Sequence, residues 1–320
     1  MSTRTKVWLI IAGTLVLLGG ILFAGVMSTL GWDFTKLSTE KFETNTYEIS
    51  EAFDAISMDT DTADIVFAAS DDGICKVVCY EQEYAKHSAV VEDDTLIIRV
   101  ADKREWYQYI GINFSTPQIT VYLPKTEYNN LLIDGDTSDV EIPNDFMFKN
   151  VDISLSTGDV EFCASASEMI KIKTSTGDIC VENISAGSLD LSVSTGKVTV
   201  TGVDCGDVKI NVSTGKTNMT DIRCKNLLSS GDTGDISLKN VIATEKFSIE
   251  RSTGDVKLEK SDAAEIYIET DTGDVTGTLL TEKVFIAETD TGRVDVPKTT
   301  TGGKCEIETD TGNIIISISN

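Results

Sequence analysis

Histidine is almost missing. His87 is the only one in 320 residues, which excludes a multi-histidine zinc centre. The seven cysteines contain no Cys-x-x-Cys pair, so a structural zinc site is not expected either. Within EYAKHSAV, His87 reads as an exposed loop residue and not as a general base. Proline (4 residues) and aromatics (7%) are also sparse, whereas glycine reaches 24. Positive charge is short: 27 Lys and Arg face 52 Asp and Glu, so the net charge is 27 − 52 = −25. Such a chain repels phosphate backbones, which excludes nucleic-acid binding through a basic surface. An odd number of cysteines cannot all pair within the chain. Cys75 and Cys79 stand two strand steps apart on one face, too far to bridge each other, and most of the cysteines read as small apolar core residues.

Only one long apolar run is present, the 24 uncharged residues from Val7 to Leu30. About 20 suffice to cross a bilayer as a helix. Arg4 and Lys6 precede the run and Asp33 follows it, so the positive-inside rule places residues 1–6 in the cytoplasm and the chain beyond Gly31 outside. The apolar core of a cleaved signal peptide is shorter, about 7–15 residues. Residues 7–30 are therefore read as a single-pass anchor, with a cleaved signal as the alternative; both place the body outside the cytoplasm. The rest divides into a linker at 31–49, irregular rungs at 50–135 and a regular array at 136–320.

A tandem repeat governs that array. Ser-Thr-Gly or Asp-Thr-Gly recurs with glycine at Gly158, Gly177, Gly196, Gly215, Gly234, Gly254, Gly273, Gly292 and Gly312, spaced by 19 or 20 residues. Degenerate copies put Ser138 and Ala63 where glycine would stand. Seven positions before the glycine the residue is apolar in every copy, from Val151, Ile170 and Leu189 to Phe285 and Cys305. Two positions after it stand Val160, Ile179, Val198, Ile236, Val256, Val275, Val294 and Ile314, with Thr217 the exception. Each copy thus reads as an alternating strand, a tight turn in which glycine supplies positive φ, and a second short alternating strand. One such unit cannot bury its apolar stripe alone, but stacked units share a core. Helix-pair solenoids do not fit 19 residues of period-two pattern, and the fixed Leu and Asn columns of leucine-rich repeats are missing. The expected fold is all-β, a single-stranded β-helix (β-solenoid), right-handed by the handedness of parallel crossovers. Ten rungs at ~4.8 Å make a rod of roughly 50 Å.

The segment 102–116 holds the richest aromatic cluster of the body, with Trp106, Tyr107, Tyr109 and Phe114. It reads as a cap over the open end of the core, and alternatively as a partner-binding loop.

The ITVYLPK segment at 119–125, LLIDGDTSDVEI at 131–142, the STGDV repeats and the lead-in FDAISMDTDTADIVF at 53–67 together carry a family likeness. Over roughly 50–320 the chain resembles the bacterial "putative adhesin" family of unknown function, whose members are STGD-repeat β-solenoid proteins of the surface or envelope, some linked with envelope-stress systems. The resemblance implies the fold and no catalytic motif.

Several columns carry residues capable of chemistry. The residue after the glycine is often acidic, but Lys197, Lys216 and Arg293 interrupt it, and a solvated turn with partial charge balance is the plainer reading. From Gly234 onward a stripe of Asp232, Asp235, Asp271, Asp274, Asp290 and Asp310 could attract Ca²⁺, and no other cofactor is expected. Late Thr-x-Thr triplets such as Thr270 and Thr272 read as an inward threonine ladder. Turn columns that project into water offer no cleft for tuned acids and bases, so an enzyme is not expected. Cys205 and Cys224 share one column and should lie one rung apart, near disulfide distance. The apolar segment GNIIISISN at 312–320 reads as a terminal rung whose free edge invites self-association. The resulting expectation is a membrane-anchored, non-catalytic adhesion, scaffold or binding module facing an envelope protein or glycan. The alternatives are an envelope-stress accessory acting through a membrane partner and a glycan-active enzyme.

Overall fold

The computed structural model describes residues 2–37, 41–102 and 115–319. Residues 103–114, with Trp106, Tyr107, Tyr109 and Phe114, lie outside them.

One helix, Thr3–Thr29, opens the chain. Its most apolar 18-residue window has a mean hydropathy of 2.5 and no buried residue. Twenty-seven residues give a length of ~40 Å, enough to cross a bilayer core. Ser2 caps it, its hydroxyl accepting the Thr5 N–H at 3.3 Å.

The body is a β-solenoid of parallel coils. Each coil runs a long strand into the Thr-Gly turn, then a short strand out of it. In one coil these are Ser165–Thr176 and Ile179–Glu182. Alternation along the long strand decides which side is dry: in Ser185–Thr195, Leu189, Leu191 and Val193 are buried while Ser192 and Ser194 point away from the core. The threonines before the turns lie in one file, Thr137, Thr157, Thr176, Thr195, Thr214, Thr233, Thr253, Thr272, Thr311 and Thr291, each in register with the next. The 20-residue spacing from Gly234 to Gly254 is absorbed by a bulge between Cys224 and Asn226, where the pairing offset changes from Cys224↔Ala243 to Asn226↔Lys246.

The glycine is demanded twice. Gly196 has φ +151°, and a Cβ there would stand 1.9 Å from the carbonyl oxygen of Gly177 in the adjacent coil. Its N–H meanwhile donates to Thr214 on the other side at 3.0 Å. A second corner six residues after the glycine is left-handed, with φ near +50 to +65° at Asn183, Gly202, Asp221, Asn240 and Lys260. Small polar residues and glycine tolerate that conformation best. The Asn240 amide donates to the Asp221 carboxylate at 2.8 Å along this second column.

Stack order departs from chain order at both ends. The C-terminal coil, Gly303–Thr311 and Ile314–Ile318, inserts between the coils of 265–279 and 283–295. It is therefore not the free edge that its position in the chain suggests. The edge coil is 283–295, with Lys283–Thr291 as its long strand, and its inward column shows it: Val294 is exposed, and Phe285 and Ala287 are only half-buried. A buried ion pair holds this last coil. Lys283 Nζ lies 2.6 Å from Asp262 Oδ1, while Asp262 Oδ2 accepts the Thr281 N–H at 2.6 Å and the Thr281 hydroxyl at 2.8 Å.

At the other end two more parallel coils add: Ala55–Thr60 with Asp64–Ala69 lies against the coil of 127–142, and Thr95–Asp102 with Gln118–Leu123 lies against that one. Irregular rungs thus make up much of 50–135, and the strands between them are antiparallel. Cys75–Gln82 runs antiparallel to Gln118–Leu123 and to Phe42–Ile49, and Ala85–Glu92 antiparallel to Thr95–Asp102. The segment 31–49 is accordingly not all linker, because its second half is a strand. These antiparallel strands occupy the end of the sheet where another coil would otherwise add. Beneath them Phe53, Tyr128 and Phe148 stack in sequence, ring centres 5.9 and 6.0 Å apart.

Two outcomes follow for stability. Gly196→Ala should lower it by ~2 kcal/mol or more, because strain and overlap add; an unchanged urea midpoint would refute the close-approach account. Lys283→Ala leaves Asp262 buried and unpaired and should cost about 3–5 kcal/mol, read as a fall in thermal midpoint.

Candidate functional site

The column after the turn glycine is hydrogen-bonded, not merely solvated. The Asp139 carboxylate accepts the N–H of Asp159 at 2.8 Å, Asp159 that of Asp178 at 2.7 Å, and Asp178 that of Lys197 at 2.7 Å. The file resumes from Asp235 to Asp255 and Asp274, and then passes to Asn313 and Arg293, following stack order. Where lysine stands, charge substitutes: Lys216 Nζ is 2.9 Å from Asp235 Oδ2 and holds that carboxyl below its usual range. Asp235 and Asp274 of the expected cation stripe are thus already occupied by neighbouring amides. Among the described residues, no three carboxylates of the stripe bring oxygens within 4.8 Å of one another.

The outward columns of the long strands differ along the rod. Asp152, Lys171, Asp190 and Lys209 lie on consecutive rungs with alternating sign, and Lys171–Asp152 and Lys209–Asp190 pair at 2.8 and 3.3 Å. A second outward column, two positions nearer the turn, becomes acidic toward the other end. Glu250, Glu269, Glu308 and Glu288 occupy one column on four consecutive rungs. Asp271, Asp310 and Asp290 stand beside them in the next outward column. The insertion of the C-terminal coil creates this order, which places Glu308 between Glu269 and Glu288. Among the described residues none of these seven carboxylates enters an ion pair; Glu269 accepts the Tyr267 hydroxyl. Neighbouring charges at the rung spacing repel by about 1 kcal/mol or less in water. A polar groove of about 360 Å³ runs into this region, lined in part by Asn211, Asp232, Glu250 and Asp271.

Below the groove sits a buried cation that sequence reading missed. Arg251 occupies the inward column between Gly231 and Thr270. Its Nη1 donates to the Val212 carbonyl at 2.7 Å and its Nη2 to the Thr217 hydroxyl at 3.4 Å. A side chain on Gly231 would stand 2.2 Å from Nη1. The lone threonine in the apolar column and the glycine in the inward column are therefore the space and the acceptor that this arginine requires. Burial lowers its pKa, and Asp232 and Asp235 oppose that shift.

The threonine ladder points inward as expected. Thr174, Thr270 and Thr309 are buried and donate to the carbonyls of Gly158, Gly254 and Gly273 at 3.2, 3.4 and 3.2 Å. Cys205 and Cys224 face one another across one rung, buried, and both are free thiols. Burial pushes each up to about 12. Cys163 and Cys180 are only half-buried.

His87 is not in an exposed loop. It is buried on strand Ala85–Glu92, with Nδ1 2.8 Å from Glu81 Oε2 and Nε2 3.1 Å from Thr60 Oγ1. Cys79 Sγ joins the same cluster.

Native alkylation at pH 8 should modify Cys163 and Cys180 first and leave Cys205 and Cys224 untouched until denaturant is added. A thiol raised to about 12 is almost wholly protonated at that pH and shielded as well. A Cys205–Cys224 disulfide recovered by non-reducing peptide mapping would contradict the thiol state.

A family model described as Toastrack DUF4097 matches residues 53–223 and 205–320. No curated protein matches the chain. Among solved structures it is similar to a putative adhesin from Bacteroides fragilis, at 18% identity over 87% of this chain and 97% of that one, with a TM-score of 0.43. It is also similar to a putative lipid binding protein from Parabacteroides distasonis, at 19% identity over 75% and 98%, TM-score 0.47. A putative adhesin from Parabacteroides merdae matches at 11% identity over 74% and 96%, TM-score 0.47. Since the family model accounts for the coils from the first degenerate repeat to the last rung, the chain belongs to the Toastrack DUF4097 family.

Proposed function

We propose that this protein is a membrane-tethered, non-catalytic solenoid that presents an acidic outer face to a positively charged partner at the bacterial envelope. The apolar helix Thr3–Thr29 is the tether, with Arg4 and Lys6 on the cytoplasmic side and the solenoid outside. The observation that carries the reading is the four-rung column Glu250, Glu269, Glu308 and Glu288 with its neighbouring aspartates. Elsewhere on the same face Lys171 and Lys209 pair with Asp152 and Asp190; here no described residue does so. A rigid row of unpaired carboxylates raises the local concentration of cationic ligands and makes binding salt-dependent. An extended surface of this kind suits a protein or glycan that lies along the rod, and gives no desolvated pocket for acid–base chemistry. End-to-end association remains part of the reading, but through the edge strand Lys283–Thr291 and not through the C-terminal rung.

Full-length protein in detergent, used as bait on membranes of the source cells, tests this. A partner retained at low salt, released at high salt and lost when Glu250, Glu269, Glu288 and Glu308 are all changed to Gln is the expected result. Equal capture by the neutralised variant would overturn the role of the acidic face, and turnover of wall or capsule polysaccharide would overturn the non-catalytic reading.

A further inference from the structure

Cys79, Glu81 and His87 lie on a single hairpin, strands Cys75–Gln82 and Ala85–Glu92 joined by Glu83 and Tyr84 with Gln82 opposite Ala85. All three side chains are buried, and a sulfur, a carboxylate oxygen and a ring nitrogen lie within 4.8 Å of one another. Ordinary core packing does not require a thiol, an acid and the chain's only imidazole to converge. We propose that this cluster is a zinc site, with Cys79 Sγ, Glu81 Oε2 and His87 Nδ1 as ligands, which locks the antiparallel cap onto the first coil.

The surroundings match what a metal site needs. A ligating histidine is normally oriented by a partner on its other nitrogen, and His87 Nε2 meets the Thr60 hydroxyl at 3.1 Å. In the metal-free chain Nδ1–H donates to the Glu81 carboxylate; on binding the ring takes the other tautomer, with its proton on Nε2 toward Thr60, and the Nδ1 lone pair then faces the metal. The second oxygen of Glu81 is held by the Asn45 amide at 2.7 Å, and Oε2 also accepts the His87 N–H at 2.6 Å. Thr60 sits on the first coil and Asn45 on strand Phe42–Ile49, so the cluster ties three elements together. Charge also balances: one Zn²⁺ with a thiolate, a carboxylate and a neutral imidazole is neutral, the state a dry interior tolerates. Binding forms the Zn–S bond and breaks S–H, and the thiol proton goes to solvent, so affinity rises with pH. Without metal that thiol is inert, because burial, reinforced by Glu81, pushes Cys79 up to about 12.

Geometry requires little movement. Nδ1 and Oε2 are 2.8 Å apart. Two donors each ~2.0–2.1 Å from a tetrahedral zinc stand ~3.4 Å apart, so a small rotation of the Glu81 carboxylate admits the ion. Three protein ligands leave the fourth position to water. A cavity with room for about one water molecule, lined in part by Thr60, Gln82 and His87, adjoins the ring. Nitrogen, oxygen and thiolate donors together select zinc over calcium or magnesium, which prefer oxygen alone.

The test uses the full-length chain in detergent, stripped with a chelator and titrated with Zn²⁺ against a chromophoric competitor, and separately with Co²⁺. One equivalent of metal and a thiolate-to-cobalt charge-transfer band are expected. The band should vanish in Cys79→Ser, and zinc affinity should fall by about tenfold or more in His87→Gln and in Thr60→Val. Cys205→Ala serves as control and should bind as the wild type does. Failure of the folded wild-type chain to hold stoichiometric zinc, or a charge-transfer band that survives Cys79→Ser, would overturn the site. The wild-type titration decides the question even if a variant does not fold.

Discussion

At every Thr-Gly turn two coils approach so closely that a single β-carbon cannot be placed between them. The carbonyl of one turn glycine occupies the space where a side chain on the next would stand, as Gly177 does against Gly196. That contact fixes the register of the whole stack, because a slip of one residue would drive a threonine into it and turn every buried residue outward. The other ladders depend on it. The threonine file, the aspartates that accept the next coil's N–H and the dry columns through Leu189 and Val208 are in line because the glycines are.

With register fixed at the turn, inward positions are constrained and outward ones are free. The exceptions to the inward rule come as matched sets. Arg251 is tolerated in the core only because Gly231 vacates its space and Thr217 and the Val212 carbonyl accept its protons. Outward columns carry no such obligation, so alternating charge at one end and unrelieved acid at the other are equally compatible with the fold. The repulsion between carboxylates one rung apart, about 1 kcal/mol or less for each neighbour, is small beside the packing and hydrogen bonds that hold the rungs.

The coil was legible in the sequence because a short-range signal specifies it. Glycine spacing, period-two apolar columns and the threonine before each turn give rung length, dry side and turn position. The left-handed corner six residues after the glycine left a weaker trace, because its column holds Asn183, Gly202, Asp221 and Asn240 but also Lys260. Stack order was not legible, because which coil lies beside which is a long-range choice. Nothing local distinguishes the coil of 303–318 as interior from the coil of 283–295 as edge. Asn313 fills the aspartate column either way; only its bonds to Asp274 and from Arg293 show where it sits. The antiparallel cap escaped for the same reason, and with it the burial of His87, which depends on a strand partner 40 residues away through Tyr47.

The ends of the rod explain why its irregular parts hold its unusual chemistry. Interior coils find identical partners above and below, so repetition satisfies their backbone and core. An end coil has one such neighbour and must be finished by other means. The buried pair Lys283–Asp262 does this at one end. At the other, antiparallel strands cover the sheet and enclose the network of Asn45, Thr60, Glu81 and His87. Buried polar groups are costly unless fully paired, and both sets stand where a repeating apolar column has run out and a specific, directional closure takes its place.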